Sequence, residues 1–194
     1  MKVYDIETLR GPDEVEGGWQ NPEGMGFGTA VVYDDVLDLY KFFGPGEKED
    51  LIRELSGEGV ASFNGVKFDN RVLLGNADPI VPLWHDYDLL LEVVRSKFGV
   101  ASVKEAEEKF GAVVVHDGSI GLNGLSQGTL CRSKTGHGSL SPKWIQAGEW
   151  SRVFAYNLQD VRLTTTLIYF AQEYGFLLDR DGVKISLPGV VNWE

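Results

Sequence analysis

Tyr4 and Ile6 alternate with Asp5 and Glu7 near the start of the chain, a period-two pattern that predicts a strand over residues 3–6. Apolar-rich runs at residues 27–33 and 36–43 predict two more strands, joined by a tight Asp34-Asp35 turn, so an antiparallel meander comes first. Residues 10–25, between the first two strands, are rich in Gly, Pro and acid, carry Trp19 and read as a long loop. After the Gly44-Pro45-Gly46 break the pattern changes to a helix over 47–55, with Leu51, Ile52 and Leu55 on one face, then a buried strand over 59–63. A short helix over 69–74, a strand or extended segment over 80–84 and a helix over 88–98 follow. Residues 99–148 are rich in Gly and Ser, with short helices expected near 103–109, 122–131 and 142–146. The longest helical pattern, 149–174, has no internal Gly or Pro and stops at Gly175, and residues 176–187 read as a hairpin about Asp181-Gly182.

These elements describe an α/β protein with a mixed central sheet, three leading antiparallel strands and flanking helices. At 194 residues, with 43% apolar and 24% charged residues, the chain suits one folded domain over residues 1–194, including the acidic loop 10–25 and a C-terminal hairpin and tail over 176–194. Its one cysteine, Cys131, excludes an internal disulfide and a cysteine-based zinc site. No early apolar run has the length of a signal peptide and none later suits a membrane span, so a cytoplasmic protein with no membrane partner is expected. Eighteen Lys and Arg against 29 Asp and Glu give a formal charge of -11, which excludes a general nucleic-acid coat. An enzyme that meets phosphates through bound cations stays compatible with that charge.

The carboxylates carry the candidate chemistry. Asp5 and Glu7, two apart on a strand, project from one face, either as a paired site or as the solvated face of an edge strand. Tyr156 and Asp160 lie one turn apart on the long helix, where they can share a ligand or be a half-buried ring beside a solvated acid. Asp69 sits where a strand ends and a helix begins, so it can cap that helix or aim a carboxylate past the strand end.

Taken in order, Tyr4-Asp5-Ile6-Glu7-Thr8, the Asn64 to Asp69 segment and Tyr156-Asn157-Leu158-Gln159-Asp160 resemble the three motifs of the DEDD superfamily of RNase H-like 3′-to-5′ exonucleases. Tyr stands four before the last Asp, while the position used by the histidine subtype is Ala155, so the pattern resembles the DEDDy subtype. The similarity runs from Lys2 to about Phe170 and is most like the stand-alone or helicase-associated exonucleases of bacteria and phages. It implies an RNase H-like fold and two divalent ions, Mg²⁺ or Mn²⁺, about 3.5–4 Å apart, that activate water and neutralise a phosphodiester. In that scheme Asp5 bridges the ions, Glu7 and Asp160 hold the one that activates water, Asp69 holds the other, and Tyr156 orients the water.

The expected substrate is a nucleic-acid 3′ end, DNA favoured and RNA possible, with a polymerase or helicase as a tethering partner. Thr8, Asn64 and Phe68 are candidate substrate contacts, Trp19 a candidate for stacking on bases, and Arg132 and Lys134, with His137 and Lys143, a basic stretch suited to a phosphate backbone. Each has a plainer reading: Thr8 as a cap, Asn64 as a turn residue, Phe68 as core, Trp19 as a loop anchor and the basic stretch as a solvated loop. Two rival classes remain. Asp5-Ile6-Glu7-Thr8 imitates the Asp-x-Asp-x-Thr of haloacid-dehalogenase-like phosphatases, from which Glu7 departs. A non-catalytic RNase H-like interaction module would keep the fold without the chemistry.

Overall fold

A computed structural model describes residues 1–56, 59–75, 85–136 and 138–187. The strand or extended segment expected over 80–84, His137 and the end of the C-terminal tail lie outside the described residues. Two compact units emerge, Met1–Tyr87 with Thr135–Val161 and Asp88–Lys134 with Arg162–Glu194.

In the first unit, strand β1 (Lys2–Thr8) pairs antiparallel with β2 (Phe27–Asp34), from Lys2 opposite Asp34 to Glu7 opposite Thr29, with a register shift between Glu7 and Thr8. Strand β2 pairs antiparallel with β3 (Leu39–Phe43). On its other side β1 runs parallel to β4 (Gly59–Ser62), and β5 (His85–Asp88) completes a five-stranded sheet in the order β3-β2-β1-β4-β5. This mixed α/β sheet, led by three antiparallel strands, is compatible with the expected RNase H-like fold. Tyr4 and Ile6 of β1 enter a buried cluster with Val32, Phe43, Leu51, Leu55, Val60 and Val72. The alternation along β1 thereby sends one set of side chains into the core and leaves Asp5 and Glu7 on the opposite face.

Helix α1 (Pro22–Met25) and two 3₁₀ turns, Pro12–Glu14 and Gly18–Gln20, give internal structure to the segment read as a long loop. Asn21 caps α1 by accepting the Gly24 N–H at 3.0 Å, and Arg71 donates to the Gln20 carbonyl at 3.0 Å. Helix α2 (Lys48–Leu55) buries Leu51 and Leu55. Strand β3 starts at Leu39 and not at Val36, because the Asp34 carboxylate accepts the N–H groups of Val36 and Leu37, both at 3.1 Å, and Asp38 takes a φ of 48°. The turn is longer than Asp34-Asp35, and Val36 and Leu37, which extend the apolar pattern, stand exposed on it.

Three features shape the surroundings of the β1 acids. Where the β1 to β4 pairing ends, a turn with Asn64 at φ 68° leads into helix α3 (Asp69–Leu74), and Asp69 Oδ1 accepts the Ile6 N–H at 3.1 Å. Asp69 thus replaces the acceptor that a longer β4 would supply. Helix α7 (Ser141–Gln146) lies close to Gly28, whose missing Cβ would stand 2.6 Å from Ile145 Cδ1 and 2.8 Å from the Glu7 carbonyl oxygen. Only glycine permits that approach. Helix α8 (Trp150–Tyr174) buries Val153, Tyr156, Asn157 and Asp160 along one face.

The second unit holds helices α4 (Leu89–Phe98), α5 (Val103–Phe110) and α6 (Leu122–Leu130), the later part of α8, and the hairpin of β6 (Phe176–Leu178) and β7 (Lys184–Ser186). Asp179, buried in the hairpin turn, accepts the N–H groups of Asp181 at 3.0 Å and Val183 at 2.9 Å and pairs with Lys97. Burial opposes its ionisation, but these hydrogen bonds and the Lys97 charge outweigh burial and hold its carboxyl below the ordinary value. A depressed folded-state pKa stabilises the fold above the unfolded value, about 3.9, and that contribution is lost as pH falls through the folded value. Urea unfolding is therefore expected to show Asp179→Asn destabilised by about 3 kcal/mol at pH 7, with the gap to wild type closing below about pH 4. A gap independent of pH contradicts this account.

Candidate functional site

The site rests on β1 and the first part of α8. One carboxylate oxygen from each of Asp5, Glu7 and Asp160 lies within 4.8 Å of the others. Glu7 and Asp160 are buried, and Asp5 is partly exposed. Like charges this close repel, and burial raises the cost of keeping them charged. Two neutral donors meet that cost in part. Asn157, fully buried on α8, donates from Nδ2 to Asp5 Oδ2 at 2.8 Å. Ser141, buried at the start of α7, donates from Oγ to Glu7 Oε2. Neutral donors orient carboxylates without cancelling their charge, so the set stays a hard anionic oxygen site.

Tyr156 lies one helical turn before Asp160 and is buried, its ring edge-on to Trp144 at 5.9 Å between centroids. Gly136 covers the ring closely, since a Cβ there would fall 3.1 Å from Tyr156 Cδ2. Thr135, next to that glycine, is tied to α8 by its N–H and hydroxyl, which reach Gln159 Oε1 at 2.9 and 2.7 Å. Helix α7 therefore touches a member of the acidic set through Ser141 and the tyrosine through Trp144.

Asp69 stands outside the set of three. It is buried at the start of α3, and its Oδ1 is engaged by the Ile6 N–H, between the two acids of β1. Asn64 holds the left-handed position of the turn that delivers Asp69. Thr8 is buried, with its hydroxyl donating to the Arg10 carbonyl at 2.9 Å. Phe68 packs against the core, its ring 5.9 Å from that of Trp19, which is 60% exposed. Arg132 and Lys134 belong to the second unit, where the Lys134 N–H bonds Asn123 Oδ1 at 2.9 Å, and Lys143 is exposed on α7.

Sequence reasoning passed over Asn157 and Ser141. A signal for Asn157 existed, because it precedes Asp160 by three and shares its helix face, where a polar residue invites a search for its partner. Ser141 had no such signal, since a Ser before Pro142 reads as a helix cap. Its hydroxyl instead goes to Glu7 and, at 2.9 Å, to the Gly138 carbonyl.

The donor set fits a divalent cation that prefers oxygen. Three carboxylates suit Mg²⁺, Mn²⁺ or Ca²⁺ better than a metal that seeks sulfur or imidazole.

The sequence matches no protein-family model and no curated protein. Among solved structures, the family B DNA polymerase from the hyperthermophilic archaeon Pyrobaculum calidifontis aligns with 88% of this chain at a TM-score of 0.51 and 15% identity. The chain spans 24% of that polymerase chain, and the likeness is one of fold.

The Asn157 bond to a charged acceptor is expected to contribute about 1.5–3 kcal/mol. Denaturant unfolding of Asn157→Ala in chelator is expected to show a loss of that order, and a loss under about 0.5 kcal/mol contradicts the assigned bond.

Proposed function

We propose that this chain is a metal-dependent 3′-to-5′ exonuclease of DEDDy type that removes nucleoside 5′-monophosphates from single-stranded or frayed DNA ends. The observation that carries the reading is the convergence of Asp5, Glu7 and Asp160 within 4.8 Å, with Tyr156 one turn away on the helix that supplies Asp160. Those are three of the four acids, and the phenol, that the motif resemblance picks out, and the likeness in fold to a DNA polymerase agrees with it.

Asp5, Glu7 and Asp160 would hold divalent cations, Mg²⁺ or Mn²⁺, with Asp69 completing the acidic set. Bound there, the cations neutralise phosphoryl-oxygen charge and make a water nucleophilic at neutral pH. The residues supply geometry. Asn157 fixes Asp5, the Ile6 N–H fixes Asp69, and Trp144 with Gly136 fixes the Tyr156 ring. From that position the Tyr156 hydroxyl orients the attacking water by a hydrogen bond. Exposed Trp19, braced by Phe68, offers a stacking surface for a base. With a formal charge of -11 the chain binds a polyanion weakly unaided, so a polymerase or helicase that delivers the 3′ end is part of the proposal.

Matched DNA and RNA oligonucleotides labelled at the 5′ end, incubated with Mg²⁺ or Mn²⁺, test the reading. The expected result is a ladder shortening from the 3′ end, faster on DNA, abolished by chelator and reduced more than about a hundredfold in Asp5→Ala and Asp160→Ala. Cleavage inside a closed circle, or loss only of phosphate-monoester hydrolysis in Asp5→Ala with both polymers intact, overturns it. An inert wild type that also binds no cation identifies a non-catalytic module.

A further inference from the structure

Ser141 is buried to 1% exposure, and its hydroxyl contacts Glu7 Oε2, a residue 134 positions away in sequence. A single hydroxyl proton cannot serve two acceptors equally, and Ser141 also faces the Gly138 carbonyl at 2.9 Å. A carboxylate is a stronger acceptor than a peptide carbonyl, so the proton goes mainly to Glu7. Ser141 is held there by its helix. Pro142 follows Ser141 in the first turn of α7, Ile145 packs beside Gly28 of β2, and Trp144 meets the Tyr156 ring. The serine is therefore presented by a clamped element and not by a free loop.

We propose that Ser141 is a positioning residue that biases Glu7 toward one-oxygen ligation and so tunes the site to small octahedral cations. This rests on the metal-dependent reading above. The Ser141 hydroxyl occupies one lone pair of Oε2 and so would disfavour a two-oxygen grip of Glu7 on an ion. Mg²⁺ takes near-ideal octahedral geometry, which single-oxygen carboxylates suit, whereas Ca²⁺ accepts six to eight oxygens and readily takes both from one carboxylate. Asn157 donates to Asp5 Oδ2 in the same way, so two of the three acids carry the same bias. A hydroxyl that only filled space would give no such discrimination.

The test is calorimetric titration of the whole chain with Mn²⁺ and, separately, with Ca²⁺, for wild type, Ser141→Ala, Ser141→Thr and Asp5→Ala. Losing a partner of a metal ligand typically weakens affinity about 10–100-fold. Ser141→Ala is expected to bind Mn²⁺ about tenfold more weakly while Ca²⁺ affinity changes less, so that the preference for Mn²⁺ shrinks at least roughly threefold. Ser141→Thr, which keeps the hydroxyl, is expected to restore the preference. If wild type binds Mn²⁺ and Ser141→Ala binds it within twofold as tightly, the inference is wrong while the proposed function stands. An equal loss for both cations marks general damage and also overturns it. A wild type that takes up neither cation, like Asp5→Ala, overturns the function and the inference together. Should Ser141→Ala not fold, Ser141→Cys, nearly isosteric with a weak donor, carries the same comparison.

Discussion

Repulsion among three carboxylates is the constraint around which the first unit is built. Asp5, Glu7 and Asp160 approach within 4.8 Å, and nothing in their own chemistry favours that approach. The fold forces it. Tyr4 and Ile6 are drawn into the core by the hydrophobic effect, and the pleat of β1 then commits Asp5 and Glu7 to the opposite face. The buried face of α8 brings Asp160 with Val153 and Val161. Core burial thus offsets the cost of a concentrated anionic site, and neutral donors from Asn157 and Ser141 fix its geometry without discharging it.

Much of this was legible in the residues, for identifiable reasons. Asp5 and Glu7 share a face because strand periodicity is local, and Tyr156 and Asp160 share one because helix periodicity is local. The sheet with three leading antiparallel strands followed from the apolar runs and the break at Gly44-Pro45-Gly46. The start of β3 was misplaced because Val36 and Leu37 are apolar, whereas Asp34 diverts their N–H groups into a turn. Local backbone chemistry outweighed side-chain character there.

What stayed hidden depends on contacts distant in sequence. Ser141 meets Glu7 only because Gly28 lets Ile145 settle beside β1 and β2, a fit visible only once the strands are paired. The Asp69 bond to the Ile6 N–H arises because β4 stops short of the acids, and no single segment reveals where one strand ends relative to another. Asp69 read correctly as a residue at a strand-to-helix junction, but its backbone partner came from the first strand. These hidden contacts are the ones that set the orientation of the legible acids.

The central claim is that Asp5, Glu7 and Asp160 together hold a divalent cation. Crystals equilibrated with Mn²⁺ and measured at a wavelength where manganese scatters anomalously test it directly. The account predicts an anomalous peak within coordination distance of carboxylate oxygens from all three residues, absent from crystals of Asp5→Ala. Manganese found only at other acidic positions on the surface, with these three carboxylates holding none, would contradict it.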